Sequence, residues 1–79
     1  MDICVILGSK SDLPIAEKCR SVLDKFEVSY EIRVASAHRA PKYLESIVEA
    51  AEEDGCQVFI GMAGVAAALP GVIASMTNK

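Results

Sequence analysis

One imidazole serves the whole chain. It is His38, in the run Ser36-Ala37-His38-Arg39-Ala40-Pro41, with an arginine directly behind it. An unperturbed imidazole titrates near pH ~6.5, so it can give and take a proton close to neutrality. Arg39 falls where a helix is expected to begin, and there the guanidinium and the helix dipole both favour an anion. A proton shuttle beside an anion is one reading of this pair, and a loop histidine that only hydrogen-bonds at a helix entry is the other. Ser36 is open in the same way, between a ligand contact and a local turn bond. Earlier in the chain, Gly8-Ser9-Lys10-Ser11-Asp12 places two hydroxyls and free backbone N–H groups at another helix start, a setting able to hold a phosphate or a hydroxylated ligand. Asp12 would repel a phosphate and suits sugar hydroxyls better. The plainer alternative is that Ser11 or Asp12 caps the helix.

These side chains need a scaffold, and the totals limit what it can be. A chain of 79 residues allows one small domain, residues 1–79, in which only a modest share of the surface is buried. With 52% hydrophobic and 24% charged residues it reads as a packed chain rather than a disordered one. The net charge of −3 comes from scattered acids, and the basic residues never cluster as a nucleic-acid footprint requires. No apolar run approaches the ~20 residues of a membrane span, and the N-terminus lacks the basic flank and long apolar run of a signal peptide. The expectation is therefore a cytoplasmic protein with neither nucleic-acid nor membrane partners. Cys4, Cys19 and Cys56 are odd in number and widely spaced, which fits neither a disulfide framework nor a zinc site. Each falls at an apolar position and reads as a small buried hydrophobe in a reducing compartment.

Periodicity supplies the elements. Residues 3–7, ICVIL, form a continuous apolar run, the pattern of a strand covered on both faces. Over residues 13–26 the apolar Ala16, Cys19, Val22, Leu23 and Phe26 recur at helical spacing. Residues 28–35 alternate, with Val28, Tyr30, Ile32 and Val34 on one face, which suits an edge strand. Leu44, Ile47, Val48 and Ala51 then mark a second helix, with Pro41 suited to its first turn and Gly55 to the residue beyond its end. A third apolar run, CQVFIGM, leads through small residues into a third helix, where Pro70 is tolerated in the first turn.

Alternating strands and helices predict a three-layer α/β/α flavodoxin-like parallel sheet whose strand order begins 2-1-3. In such a sheet ligands sit beyond the carboxyl ends of the strands, where the loops carrying Ser9, Ser11, Asp12, Ser36, His38 and Arg39 converge. The third strand expects cover on both faces, yet these residues supply nothing to pair its outer edge. The sheet is therefore expected to continue, so that the fold is truncated after the third helix.

Taken in order, GSKSD, SAHRAP and AGVAAALPG resemble the class I N5-carboxyaminoimidazole ribonucleotide mutases, the PurE family of purine biosynthesis, along the whole chain. The resemblance implies His38 as general acid/base, with Arg39 and Ser36 near the substrate phosphate and Ser9, Ser11 and Asp12 against the ribonucleotide. It also implies no metal, ATP or biotin cofactor, carbon dioxide as a transient intermediate, and a homo-oligomer, typically an octamer. Members of the family run about twice as far, and most carry a histidine where this chain has Ala68.

Two related enzymes compete. Class II carboxylases, which use carbon dioxide directly, usually have lysine at the position of Arg39, and the carboxylase domain of nickel-pincer cofactor synthesis lacks the Ser-Ala-His-Arg run. A phosphoacceptor module would need an acid after the third strand, and a cobalamin module a D-x-H-x-x-G loop; neither is present. A non-catalytic nucleotide-binding or assembly fragment is the alternative from another class.

Overall fold

The computed structural model describes residues 1–36, 40–62 and 68–78. Its strands are β1 (Ile3–Leu7), β2 (Tyr30–Val34) and β3 (Val58–Met62), and its helices α1 (Leu13–Lys25), α2 (Pro41–Glu53) and α3 (Ala68–Met76). All strand pairs are parallel, in the order β2-β1-β3. Both the alternation of elements and the strand order follow the sequence expectation.

Burial explains the order. Cys4, Val5, Ile6 and Leu7 are all 0% exposed, because β1 is central and both its faces are covered. Cys4 and Ile6 pack with Leu44, Ile47, Val48 and Ala51 of α2 and with Leu69 and Ile73 of α3. Val5 and Leu7 pack on the opposite side with Ala16 and Leu23 of α1. Two helices on one face and one on the other make the three layers. β2 keeps Tyr30, Ile32 and Val34 against the α1 side while Glu31 and Arg33 stay in solvent, as an edge strand does. Tyr30 also donates its hydroxyl to Asp24 Oδ1 at 2.8 Å, which ties β2 to α1 and pushes the phenol pKa up.

Helix ends are set locally. Pro14 and Pro41 lie in the first turns of α1 and α2, where a missing N–H costs nothing. Both helices stop in the same paired-bond motif. At α2, Gly55 has φ 84°, with Gly55 N–H donating to Glu52 O and Cys56 N–H to Ala51 O. At α1 the same left-handed position is filled by Glu27, φ 55°, with Glu27 N–H on Asp24 O and Val28 N–H on Leu23 O. Pro70 is the third residue of α3, within the expected first turn.

Two expectations are corrected. Val22 and Phe26, read from spacing as part of the buried face of α1, are 51% and 73% exposed. The three-stranded sheet is narrow, and among the apolar residues of that face Ala16 and Leu23 are buried, with Cys19 partly so. Secondly, β3 is not covered like β1: Val58 is 46% exposed and Phe59 to Met62 are only half-buried, since β1 is its one neighbour among the described strands.

Among the cysteines, Cys4 and Cys56 are buried, whereas Cys19 is half-exposed. Burial pushes the Cys4 thiol up to about 11, with the neighbouring Cys56 adding to the shift. A thiol whose folded pKa is raised stabilises the fold fully below its unfolded pKa, and that contribution is lost as pH rises toward the folded value. Urea midpoints are therefore expected to fall between about pH 8.5 and about pH 11, and to fall less in Cys4→Ala. The difference between the two pH profiles isolates the thiol from Tyr30.

Candidate functional site

The carboxyl rim of the sheet is where the loops leave. Ala35 N–H donates to Leu7 O at 2.8 Å and Gly8 N–H to Met62 O at 2.9 Å, so all three strands stay in register to their last residues. Beyond this rim, at the ends of β1 and β2, lies a cleft of about 620 Å³ lined by Gly8, Ser9, Lys10, Ser11, Val34 and Ser36. Three of the residues singled out from sequence, Ser9, Ser11 and Ser36, thus meet at one cleft.

The first loop is built around a short 3-10 turn, Lys10–Asp12. Ser9 is extended, with φ −157° and ψ 165°, and its hydroxyl accepts the Ser11 N–H at 3.2 Å. Asp12 Oδ2 accepts the Ser9 N–H in return, at 3.2 Å. This reciprocal cap satisfies backbone donors that the turn would otherwise leave open. Asp12 is 7% exposed and is not a lining residue of the cleft. Its carboxylate serves the turn before α1 and makes no side-chain cap on α1 itself.

Ser9 Oγ and Ser11 Oγ lie 2.5 Å apart. One hydroxyl donates to the other, which leaves the pair a single O–H free to point into the cleft. Both residues are exposed, so a ligand can meet them without opening the core.

The second loop leaves from β2. Ser36 is half-buried, and its carbonyl accepts the Ala40 N–H at 3.0 Å, closing the loop just before α2 begins. His38 and Arg39 lie on this loop, outside the described residues, as does the segment 63–67 of the third loop. Ala68 opens α3.

Sequence reasoning missed Lys10 and Val34 as lining residues. Spacing gave no signal for Lys10, which the three-residue turn brings to the same mouth as the two serines.

A second cavity, about 420 Å³, lies between the polar side of β2 and α2 and is lined by residues including Glu31, Arg33, Tyr43, Ser46 and Asp54. It contains none of the candidate residues. Among the described residues no group of three His, Cys, Asp or Glu side chains could hold a metal ion. No described helix is long and apolar enough to cross a membrane.

An open parallel α/β sheet, in the order β2-β1-β3 with polar residues gathered at a cleft on its carboxyl edge, defines the class: a flavodoxin-like α/β domain. Residues 2–79 match the model of the AIR carboxylase family, and the chain belongs to that family. It is 56% identical over 77 residues to the N5-carboxyaminoimidazole ribonucleotide mutase of Methanocaldococcus jannaschii, an alignment covering 98% of this chain and 47% of that protein. To the enzyme of the same name from Pyrococcus abyssi it is 51% identical, covering 92% of this chain and 42% of that one. The Vibrio cholerae mutase is 46% identical, with 99% and 48% covered. The chain spans less than half the length of each of these three relatives.

Proposed function

We propose that the natural protein isomerises N5-carboxyaminoimidazole ribonucleotide to 4-carboxy-5-aminoimidazole ribonucleotide, a step of purine biosynthesis in the cytoplasm. The observation that carries this reading is the cleft shared by Ser9, Ser11 and Ser36 at the carboxyl ends of β1 and β2, in a chain of the AIR carboxylase family. In this reading Ser9 and Ser11 hold the ribonucleotide, and Ser36 and Arg39 lie near its phosphate. Asp12 reaches sugar hydroxyls only with whatever acceptor capacity its bond to the Ser9 N–H leaves over. The residues 1–79 then form the N-terminal part of one domain that assembles as a homo-oligomer, an octamer by resemblance.

The chemistry is balanced in protons. The substrate's N-carboxylate leaves as carbon dioxide while its nitrogen takes a proton from His38. The neighbouring ring carbon, electron-rich like an enamine, attacks the carbon dioxide held beside it at high effective concentration. That carbon then loses its proton, and the neutral imidazole takes it. One side chain therefore donates once and accepts once, with no net change. Arg39 favours this reading over direct carboxylation, since the class II enzymes resembled usually place lysine there.

The experiment is a turnover assay on the natural chain supplied with the N-carboxylated ribonucleotide, following formation of the ring-carboxylated isomer by its ultraviolet absorbance. Conversion without ATP or added bicarbonate is the expected result. Conversion of the uncarboxylated ribonucleotide alone, in proportion to dissolved carbon dioxide, would assign the direct carboxylase instead.

A further inference from the structure

The chain is negative overall, at −3, yet among the described residues the one charged side chain lining the cleft proposed for an anionic substrate is a cation. That side chain is Lys10. The nearest acid in sequence, Asp12, is buried with its carboxylate on the Ser9 N–H, and does not line the cleft. Lys10 is exposed and makes no ion pair with any described residue. Its backbone, in contrast, is fixed. Leu13 N–H donates to the Lys10 carbonyl, and the Ser9–Asp12 cap closes the same turn. A flexible stem on a rigid root places an ammonium over the cleft without fixing its angle, which suits a phosphate better than a planar carboxylate.

We infer that Lys10 is a binding residue for the substrate phosphate, sharing the group with Ser36 across the cleft and reversing locally the repulsion that the protein's net charge imposes on an anion. The inference rests on the function proposed above. A lysine at the open mouth of a cleft attracts the ground state and the transition state alike, so its removal raises KM and leaves kcat unchanged. Screening by salt weakens an exposed charge, so the effect shrinks as ionic strength rises.

The test compares wild type, Lys10→Met and Lys10→Arg in the natural chain. Substrate KM and kcat are measured at about 20 mM and about 0.5 M salt, together with the Kd of ribose 5-phosphate by calorimetry. Lys10→Met is expected to raise both KM and Kd roughly three- to tenfold at low salt, with kcat within about twofold. Lys10→Arg is expected to recover most of the loss, and the gap to narrow at high salt. Equal Kd values for wild type and Lys10→Met at low salt would overturn the inference, as would a loss that salt does not change. A wild type that binds ribose 5-phosphate without isomerising the ribonucleotide would overturn the mutase reading and leave Lys10 to be judged by its own Kd ratio. Failure of wild type to bind the sugar phosphate would overturn the inference, and the turnover assay alone would then decide the mutase reading.

Discussion

Replacing His38 by asparagine in the natural chain is expected to lower kcat by about 10²- to 10⁴-fold, while the Kd for the ribonucleotide moves less than about threefold. Asparagine keeps the size and a hydrogen-bonding edge of the ring but cannot carry a proton between two sites. The proposed route needs one proton delivered to nitrogen as carbon dioxide leaves and one removed from carbon after it adds, and His38 is the sole histidine of the sequence. Water can slowly deliver the first proton and accept the second, so a residual rate persists. The ring enters the cycle protonated, loses its proton to nitrogen and regains one from carbon, so each turnover returns it to its starting state. The check is steady-state kinetics for both proteins, with calorimetry for binding. Undiminished turnover in His38→Asn would remove the imidazole from the mechanism, and equal losses of kcat and affinity would recast it as a binding residue.

The largest expected loss of stability follows from Ile6→Ala. Ile6 is 0% exposed in the central strand β1 and packs with residues of α2 and α3, so truncation leaves a cavity that the surrounding core closes only in part. A cost of about 2–5 kcal/mol is expected, against a total stability of order 4–12 kcal/mol for a chain of this length. Phe26→Ala removes a larger side chain but one that is 73% exposed, and in the same 79 residues it is expected to change stability by less than about 0.5 kcal/mol. Urea denaturation of the two variants measures both. A small effect at Ile6, or a large one at Phe26, would contradict the division of the core into these two layers.

The contrast between Ile6 and Phe26 also shows how far the sequence could be read. β1 was legible because a run without polar residues has one physical explanation, cover on both faces, and the alternation of β2 then placed that strand at the edge. Together they fixed the order 2-1-3. The α1 face was misjudged because spacing says which residues share a side and not how wide a surface lies beneath it. Ala16 and Leu23 reach the sheet, while Val22 and Phe26 lie beyond it. β3 was read correctly as a strand, but its exposure depends on neighbours that periodicity within these residues cannot supply.

At the site, the loops were legible from where the strands end. Ser9, Ser11 and Ser36 meet in one cleft, as the topology requires of loops at the carboxyl ends of neighbouring strands. Asp12 was harder. A carboxylate three residues after one serine and one after another can face a ligand or turn back on its own backbone, and that choice depends on the extended φ of Ser9. Here it turns back to the Ser9 N–H. Substituting Asp12 therefore disturbs the positions of Ser9 and Ser11 as well as any sugar contact, and does not test the contact cleanly. Lys10 went unassigned because nothing in its spacing separates a cleft lysine from an ordinary surface one.

The central claim is that the ribonucleotide sits at the carboxyl rim between β1 and β2. Amide chemical shifts of the natural chain, recorded while the ring-carboxylated ribonucleotide is titrated in, test it most directly. Saturable shifts at Ser9, Lys10, Ser11 and Ser36, with Tyr43 and Ser46 of the second cavity unmoved, are the expected result. Shifts at Tyr43 and Ser46 with the three serines silent would contradict it.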